Sequence, residues 1–244
     1  MNKECMMKNI LVWDIPTRLF HWLFALSFTV AFITAEADGW AVVHVFTGLL
    51  MLMLIAYRVI WGIIGSRYAR FSSFLFSPAT AVKYLFDSMR GKAERHVGHN
   101  PAGSWAIYLL LLLGTGISVT GLALLSSGEQ FEDIHEALSY GALAVVAVHI
   151  AGVIAASFLH RENLPRAMVT GCKTGEDTQS IPSARPIAAL AMLVLLVTFS
   201  MAYWKGWDAQ TQTVTLPFLS QPLALGEHGE GGDSGKLARE DNDD

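Results

Sequence analysis

Five long apolar stretches decide what solvent this chain folds in. They fall at roughly 19–36, 41–64, 104–126, 133–159 and 186–204, and each comes close to the about 20 helical residues that cross a hydrocarbon core about 30 Å thick. The apolar positions run on without strand alternation or a single amphipathic face. Of 244 residues, 52% are hydrophobic and only 16% charged, where a soluble domain has about a quarter charged. In lipid the backbone must satisfy its own hydrogen bonds, which a helix does within one segment. The expected fold is therefore an all-α integral membrane protein, a four-helix transmembrane bundle plus a fifth C-terminal transmembrane helix. A net charge of −4 gives no basic footprint for nucleic acid. Cys5 and Cys172 lie outside any C-x-x-C-H sequence, so they read as free thiols rather than as a covalent haem attachment.

Basic residues orient the spans. Lys3, Lys8 and Arg18 precede or open the first. The 65–103 loop carries Arg67, Arg70, Lys83, Arg90, Lys92 and Arg95, and the 160–185 loop carries Arg161, Arg166, Lys173 and Arg185. The short connections 37–40 and 127–132 have neither Lys nor Arg. This predicts a multi-pass protein of a bacterial inner membrane, with the N-terminus and both long loops cytoplasmic and the C-terminus periplasmic. Three regions follow: a transmembrane bundle over 1–170, a cytoplasmic linker and extra transmembrane helix over 171–204, and an acidic periplasmic tail over 205–244 whose composition favours partial disorder. Basic residues upstream and an Ala35-Glu36-Ala37 sequence give the first span some likeness to a signal peptide, but it holds a histidine that the mature protein needs. Within the first long loop, "SPATAVKYLFDSMRG" has Ser77 as an N-cap and Pro78 in the first turn. Its apolar residues Ala81, Val82, Tyr84, Leu85 and Met89 suit either an interfacial amphipathic helix or an ordinary helix packed on the bundle.

Histidine at membrane depth is costly and marks function. The fourth span carries His135 and His149, fourteen residues apart. In a helix that interval falls about 40° short of four turns and rises about 21 Å, so both rings point to nearly one side at two depths. Small residues, Gly141, Ala142 and Gly152, lie among the turns between and below them and allow close approach. Each ring has a counterpart at its own depth. His44 opens the second span, on the outer side with His135, and His21 lies early in the first span, on the inner side with His149. Two bis-histidine sites stacked in a four-helix bundle are expected of a dihaem b-type cytochrome. Two axial histidines fill both faces of an iron and suit electron transfer. A lone membrane histidine serves equally well to hydrogen-bond across helices, but four at two matched depths argue against coincidence. A metal transporter would need carboxylates in the spans, which are nearly devoid of them.

The remaining histidines divide by position. His160 lies at the wet interface and is expected to hold no iron. His96 and His99 precede the third span, either as solvated loop residues or as groups exchanging protons near a quinone. His228 belongs to the acidic tail. Arg18, Arg58 and Arg67 either snorkel and set topology or pair with haem propionates. Arg58 is the best placed for the second role, fourteen residues after His44 on the same helical face.

The segments "WDIPTRLFHW", "VHVFTGLLMLMLIAYRVIWGIIG", "GHNPAGSWAIYLLLLLGTGISVTGL" and "IHEALSYGALAVVAVHIAGV…HREN" resemble the prokaryotic cytochrome b561 family and the related b-type cytochrome subunits of nickel-dependent hydrogenases, over roughly residues 10–170. The resemblance implies that His21, His44, His135 and His149 are the axial ligands of two non-covalent b haems. It also implies that electrons pass between the quinone pool and a periplasmic redox partner, such as a c-type cytochrome. Alternatives are a cytochrome b anchor for a hydrogenase or other periplasmic oxidoreductase, and a superoxide:quinone oxidoreductase. The absence of Lys and Arg from the outer loops counts against the last of these. A haem or metal transporter, needing a ligand that comes off, is disfavoured by ligation from both sides. The fifth span and tail lie outside the resemblance and leave the partner open.

Overall fold

The computed structural model describes residues 8–37, 39–127, 129–217 and 221–225. Its long helices are α1 (Ile15–Thr34), α2 (Ala41–Ile64), α4 (Pro101–Ser127), α5 (Glu132–Leu159) and α7 (Pro186–Gly206). All five are long and apolar enough to cross a membrane. Two shorter helices, α3 (Pro78–Met89) and α6 (Leu164–Thr170), lie in the basic connections. The described residues are thus mostly helical, as the hydropathy demands, with short strands added only at the two ends of the bundle.

The first helix starts four residues before the apolar count suggests. Asp14 caps it, its carboxylate accepting the Thr17 amide at 2.8 Å, and Pro16 sits in the first turn. Both are standard N-terminal devices. The other oxygen of Asp14 accepts the Trp61 indole N–H at 3.1 Å, which ties the start of α1 to the end of α2. Helices α1 and α2 pack together, as do α4 and α5, with α2 against α4 joining the pairs. Helix α7 packs on α1 and α2, away from α5. Among the described residues α5 packs its backbone most closely against α4.

Strand β1 (Lys8–Leu11) pairs antiparallel with β2 (Cys172–Gly175). The segment expected to be a linker is therefore folded onto the N-terminus. Gly171, at φ +84°, ends α6 and offers its carbonyl to the amides of Val12 and Trp13. A Cβ there would meet the Trp13 carbonyl oxygen at 2.7 Å, so the crossing admits only glycine. At the far end, β3 (Trp207–Asp208), β4 (Thr213–Val214) and β5 (Leu223–Ala224) form an antiparallel sheet. The first part of the expected acidic tail is therefore ordered structure. His228 and Cys5 lie outside the described residues. Cys172 is a half-buried free thiol.

Candidate functional site

The fourteen-residue interval of α5 sits on an unusual helix. Its single buried residue among those described is Ala142, seven residues from His135 and seven from His149. Helix α2 shows the same spacing: Met51, 1% exposed, lies seven residues from His44 and seven from Arg58. Helix α5 is thus closed off at mid-depth and open above and below, where its histidines are, whereas α2 stays buried from Met51 down to Gly62.

At one end the rings of His44 and His135 stand close together and steeply inclined, at 67°, with centroids 6.1 Å apart. Each is fixed from behind. His44 Nδ1 donates to the Ala31 carbonyl at 2.9 Å. His135 Nδ1 lies 3.0 Å from the Ile117 carbonyl and 3.1 Å from Thr120 Oγ1. A carbonyl can only accept, so in both rings the proton is on Nδ1 and the Nε2 lone pair is free. Gly121 leaves room for His135, since a Cβ there would come within 3.2 Å of its Cε1. Gly48 lies one turn from His44 on the same face, and a Cβ added to it would meet nothing within 4 Å. Space is therefore open beside Gly48, one turn from the His44 ring.

At the other end His21 and His149 lie within electrostatic reach of each other. This region holds every buried side-chain N or O atom that lacks a hydrogen-bond partner among the described residues: Thr17 Oγ1, Arg18 Nε, His21 Nδ1, Arg58 Nη1, Ser66 Oγ and His99 Nδ1. Native interiors leave few such atoms, and a cluster at one end of one bundle calls for a polar group that fits there. Arg58 is buried, with its guanidinium carbon 4.6 Å from the centre of the Phe71 ring. Arg18 donates from Nη1 to the Val169 carbonyl at 2.5 Å, so part of its fork is already used.

His99 is not the solvated loop residue that is one expectation from sequence. Its ring stands between Trp13 at 4.7 Å and Phe74 at 4.3 Å. Burial, with the nearby charge of Arg58 and Lys173, pushes its pKa down to about 3. His160 ends α5, and its Nε2 meets the Tyr84 hydroxyl at 3.3 Å. Beside it a polar cluster closes the basic end. Glu162 takes Arg95 at 3.1 Å and the buried Lys173 at 3.4 Å, Lys173 also donates to the His96 carbonyl, and Arg95 to that of Thr174. Burial holds the Lys173 ammonium below the ordinary lysine pKa, partly opposed by Glu162.

Two pairs of histidines thus stand toward opposite ends of a bundle of long apolar helices. The family model for prokaryotic cytochrome b561 matches residues 12–171, and the chain belongs to that family. It is similar to the probable Ni/Fe-hydrogenase B-type cytochrome subunit of Rhodobacter capsulatus, 22% identical across 69% of this chain and 83% of that one. The protein of the same name from Cupriavidus necator is 24% identical, across 70% of this chain and 89% of the relative. No solved structure matches. The chain is thus a membrane b-type cytochrome, a class that carries haem b for electron transfer.

Proposed function

We propose that the chain binds two b haems, one between His44 and His135 and one between His21 and His149, and passes electrons across the membrane between a quinone and a redox partner outside it. The observation that carries this reading is the first pair. An imidazole nitrogen lies about 2 Å from a metal it ligates, with its ring centre about 1 Å behind, so two rings sharing one metal stand about 6 Å apart. The 6.1 Å separation of His44 and His135 fits, and so does the carbonyl behind each ring, the usual partner that orients a metal-bound histidine. A bare ion would want more protein ligands. Among the described residues no group of three or more His, Cys, Asp or Glu gathers to hold one, whereas a porphyrin brings its own four nitrogens.

The haems, when bound, supply one-electron carriers at two depths. The protein orients the rings, keeps them neutral and holds the carriers about 21 Å apart along α5. Arg58 Nη1 and Arg18 Nε, unpartnered and buried, suit the propionates of the haem on His21 and His149, since guanidinium binds carboxylate well. The positive-inside rule supports a basic end facing the cytoplasm of a bacterium and a C-terminal sheet facing the periplasm. The names of the relatives support a role as the cytochrome subunit of a hydrogenase or similar oxidoreductase over a free carrier reduced or oxidised by a c-type cytochrome.

Three measurements test this. Pyridine haemochrome analysis of the purified chain should give two b haems. His44→Ala and His149→Ala should each remove one and retain the other; one haem in the parent protein would refute the stacked pairs. Reduction by a quinol analogue tests the quinone. Co-purification with a periplasmic redox subunit separates the anchor from the free carrier.

A further inference from the structure

Helix α3 touches the rest of the molecule along one side. Ala81 and Tyr84 are its buried residues, and it packs on α4. The Trp105 indole of α4 donates to the Phe76 carbonyl, just ahead of α3, at 3.1 Å. The Tyr84 hydroxyl meets His160 Nε2, at the end of α5, at 3.3 Å. His160 thus pins α3 to the basic end of the bundle.

The rest of α3 divides into two further faces. At about 100° of turn per residue, Leu85, Met89, Val82 and Phe86 follow Ala81 round the helix over an arc of about 100°, and all four are exposed. Arg90 and Lys83 come next, about 40° and about 60° beyond Phe86. They stand about 10.5 Å apart along the axis, and both are exposed. Gly91, at φ +68°, turns the chain so that the Lys92 amide bonds back to the Asp87 carbonyl at 2.8 Å. That bond keeps a third exposed cation, Lys92, beside the last turn. None of the three makes an ion pair among the described residues. Acidic groups are present but outnumbered: between residues 67 and 94, Arg67, Arg70, Lys83, Arg90 and Lys92 stand against Asp87 and Glu94.

We propose that α3 is a binding element for anionic phospholipid in the leaflet at this end of the bundle. Its exposed apolar face enters the boundary between acyl chains and headgroups. Lys83, Arg90 and Lys92, at the edge of that face, meet the phosphates and the excess negative charge of the headgroups. Lysine and arginine reach that level by laying their apolar stems along the surface they flank. An acidic protein surface would satisfy the cations but not the apolar arc beside them, whereas a phospholipid supplies acyl chain and anion together. Such lipid is at hand, since α4, on which α3 packs, is one of the five helices long and apolar enough to cross a membrane. Each cation near an anionic leaflet contributes on the order of fivefold in affinity, and the effect falls off within a Debye length. Lipid bound here steadies α3 and, through Tyr84 and His160, the end of α5.

The test is amide hydrogen exchange of the purified full-length protein in two nanodiscs, one of phosphatidylcholine alone and one of phosphatidylcholine mixed with phosphatidylglycerol. Amides of 78–89 should exchange at least about fivefold more slowly in the anionic disc, and the difference should close in high salt. Replacing all three cations, as Lys83→Gln, Arg90→Gln and Lys92→Gln, should abolish it. These positions are exposed, so the core is untouched. Arg161→Gln with Arg166→Gln, at exposed cations of the other basic loop, should preserve it. Equal exchange in the two discs overturns the proposal and leaves the cations to an acidic protein partner. A lipid effect that survives the triple substitution also overturns it, and so does one that the Arg161 and Arg166 pair abolishes equally, because either would make the effect a matter of net charge rather than of this helix.

Discussion

At His99 an imidazole is held between two aromatic rings with its Nδ1 shut off from solvent and unpartnered. Its pKa of about 3, against 6.5 for the free side chain, follows from burial first and neighbouring positive charge second. The linkage sign is fixed by the lowered value. Below about pH 6.5 the unfolded chain takes up a proton that the folded chain refuses until about pH 3. The contribution of His99 to stability is therefore complete above pH 6.5 and declines as the pH falls through that window, by at most about 1.4 kcal/mol per unit. His99→Phe keeps the aromatic packing and removes the titration. Thermal melts of parent and variant in detergent should converge near pH 7.5 in slope and diverge toward pH 4.5, with the parent losing stability faster. Parallel pH profiles would show that the ring is protonated freely in the fold. Nothing in the sequence around residue 99 announces this environment, because Trp13 and Phe74 reach the ring from distant segments. Asp14 is similar. Its capping of α1 lies ahead of the apolar run that marks the first span, and its second bond, to Trp61, depends on tertiary packing.

Among the elements, the membrane helices were legible because a bilayer permits so few alternatives: apolar length gives the span, and the intervals within it give the facing side. The nearness of His44 to His135 followed from span order, which puts both at one end, and from helical rise, which sets His149 far from His135. Short strands carry no such signal. Residues 8–11 and 172–175 pair across most of the chain, and nothing local distinguishes either from loop. Helix α3 lies between these cases. Ala81 and Tyr84 are buried and the helix packs on α4, while Val82, Leu85, Phe86 and Met89 are exposed together with Leu75. Lys83, Arg90 and Lys92 are also exposed. An apolar face of this kind, flanked by cations at the end of a membrane bundle, fits the headgroup boundary. A nitroxide at Met89→Cys, in a background with Cys5 and Cys172 replaced by serine, should collide more with oxygen than with a water-soluble nickel chelate in lipid nanodiscs. Preferential collision with the chelate would place the helix in water, leaving its apolar face unexplained.

For the whole molecule, the C-terminal sheet changes what the fifth helix is for. The family match stops at residue 171, yet α7 and the strands after it are bound into the bundle. Val214, Leu216 and Leu225 bury themselves with Phe199 and Tyr203 of α7, and Val42 and Phe46 of α2 and Leu125 of α4 pack around them. Tyr203 adds a hydrogen bond from its hydroxyl to the Val42 carbonyl at 2.7 Å. Val42 and Phe46 flank His44 in sequence, so the same cluster steadies the turn of α2 that presents that ring. Composition suggested a solvated tail because the acidic, glycine-rich residues dominate the count, while the few apolar residues of the sheet are scattered and gain a partner only once α2, α4 and α7 stand side by side. Truncating a fully buried leucine costs about 2–5 kcal/mol, by lost transfer energy plus the cavity left behind. Leu216→Ala should therefore lower the unfolding midpoint in detergent clearly, and Leu223→Ala, at a partly buried position, should lower it less. Because Leu216 steadies α2 rather than touching His44, haem content should survive the substitution, while the haem proposed for His44 and His135 should become easier to extract on heating. Equal, negligible effects of the two substitutions would mean that the sheet does not brace the bundle.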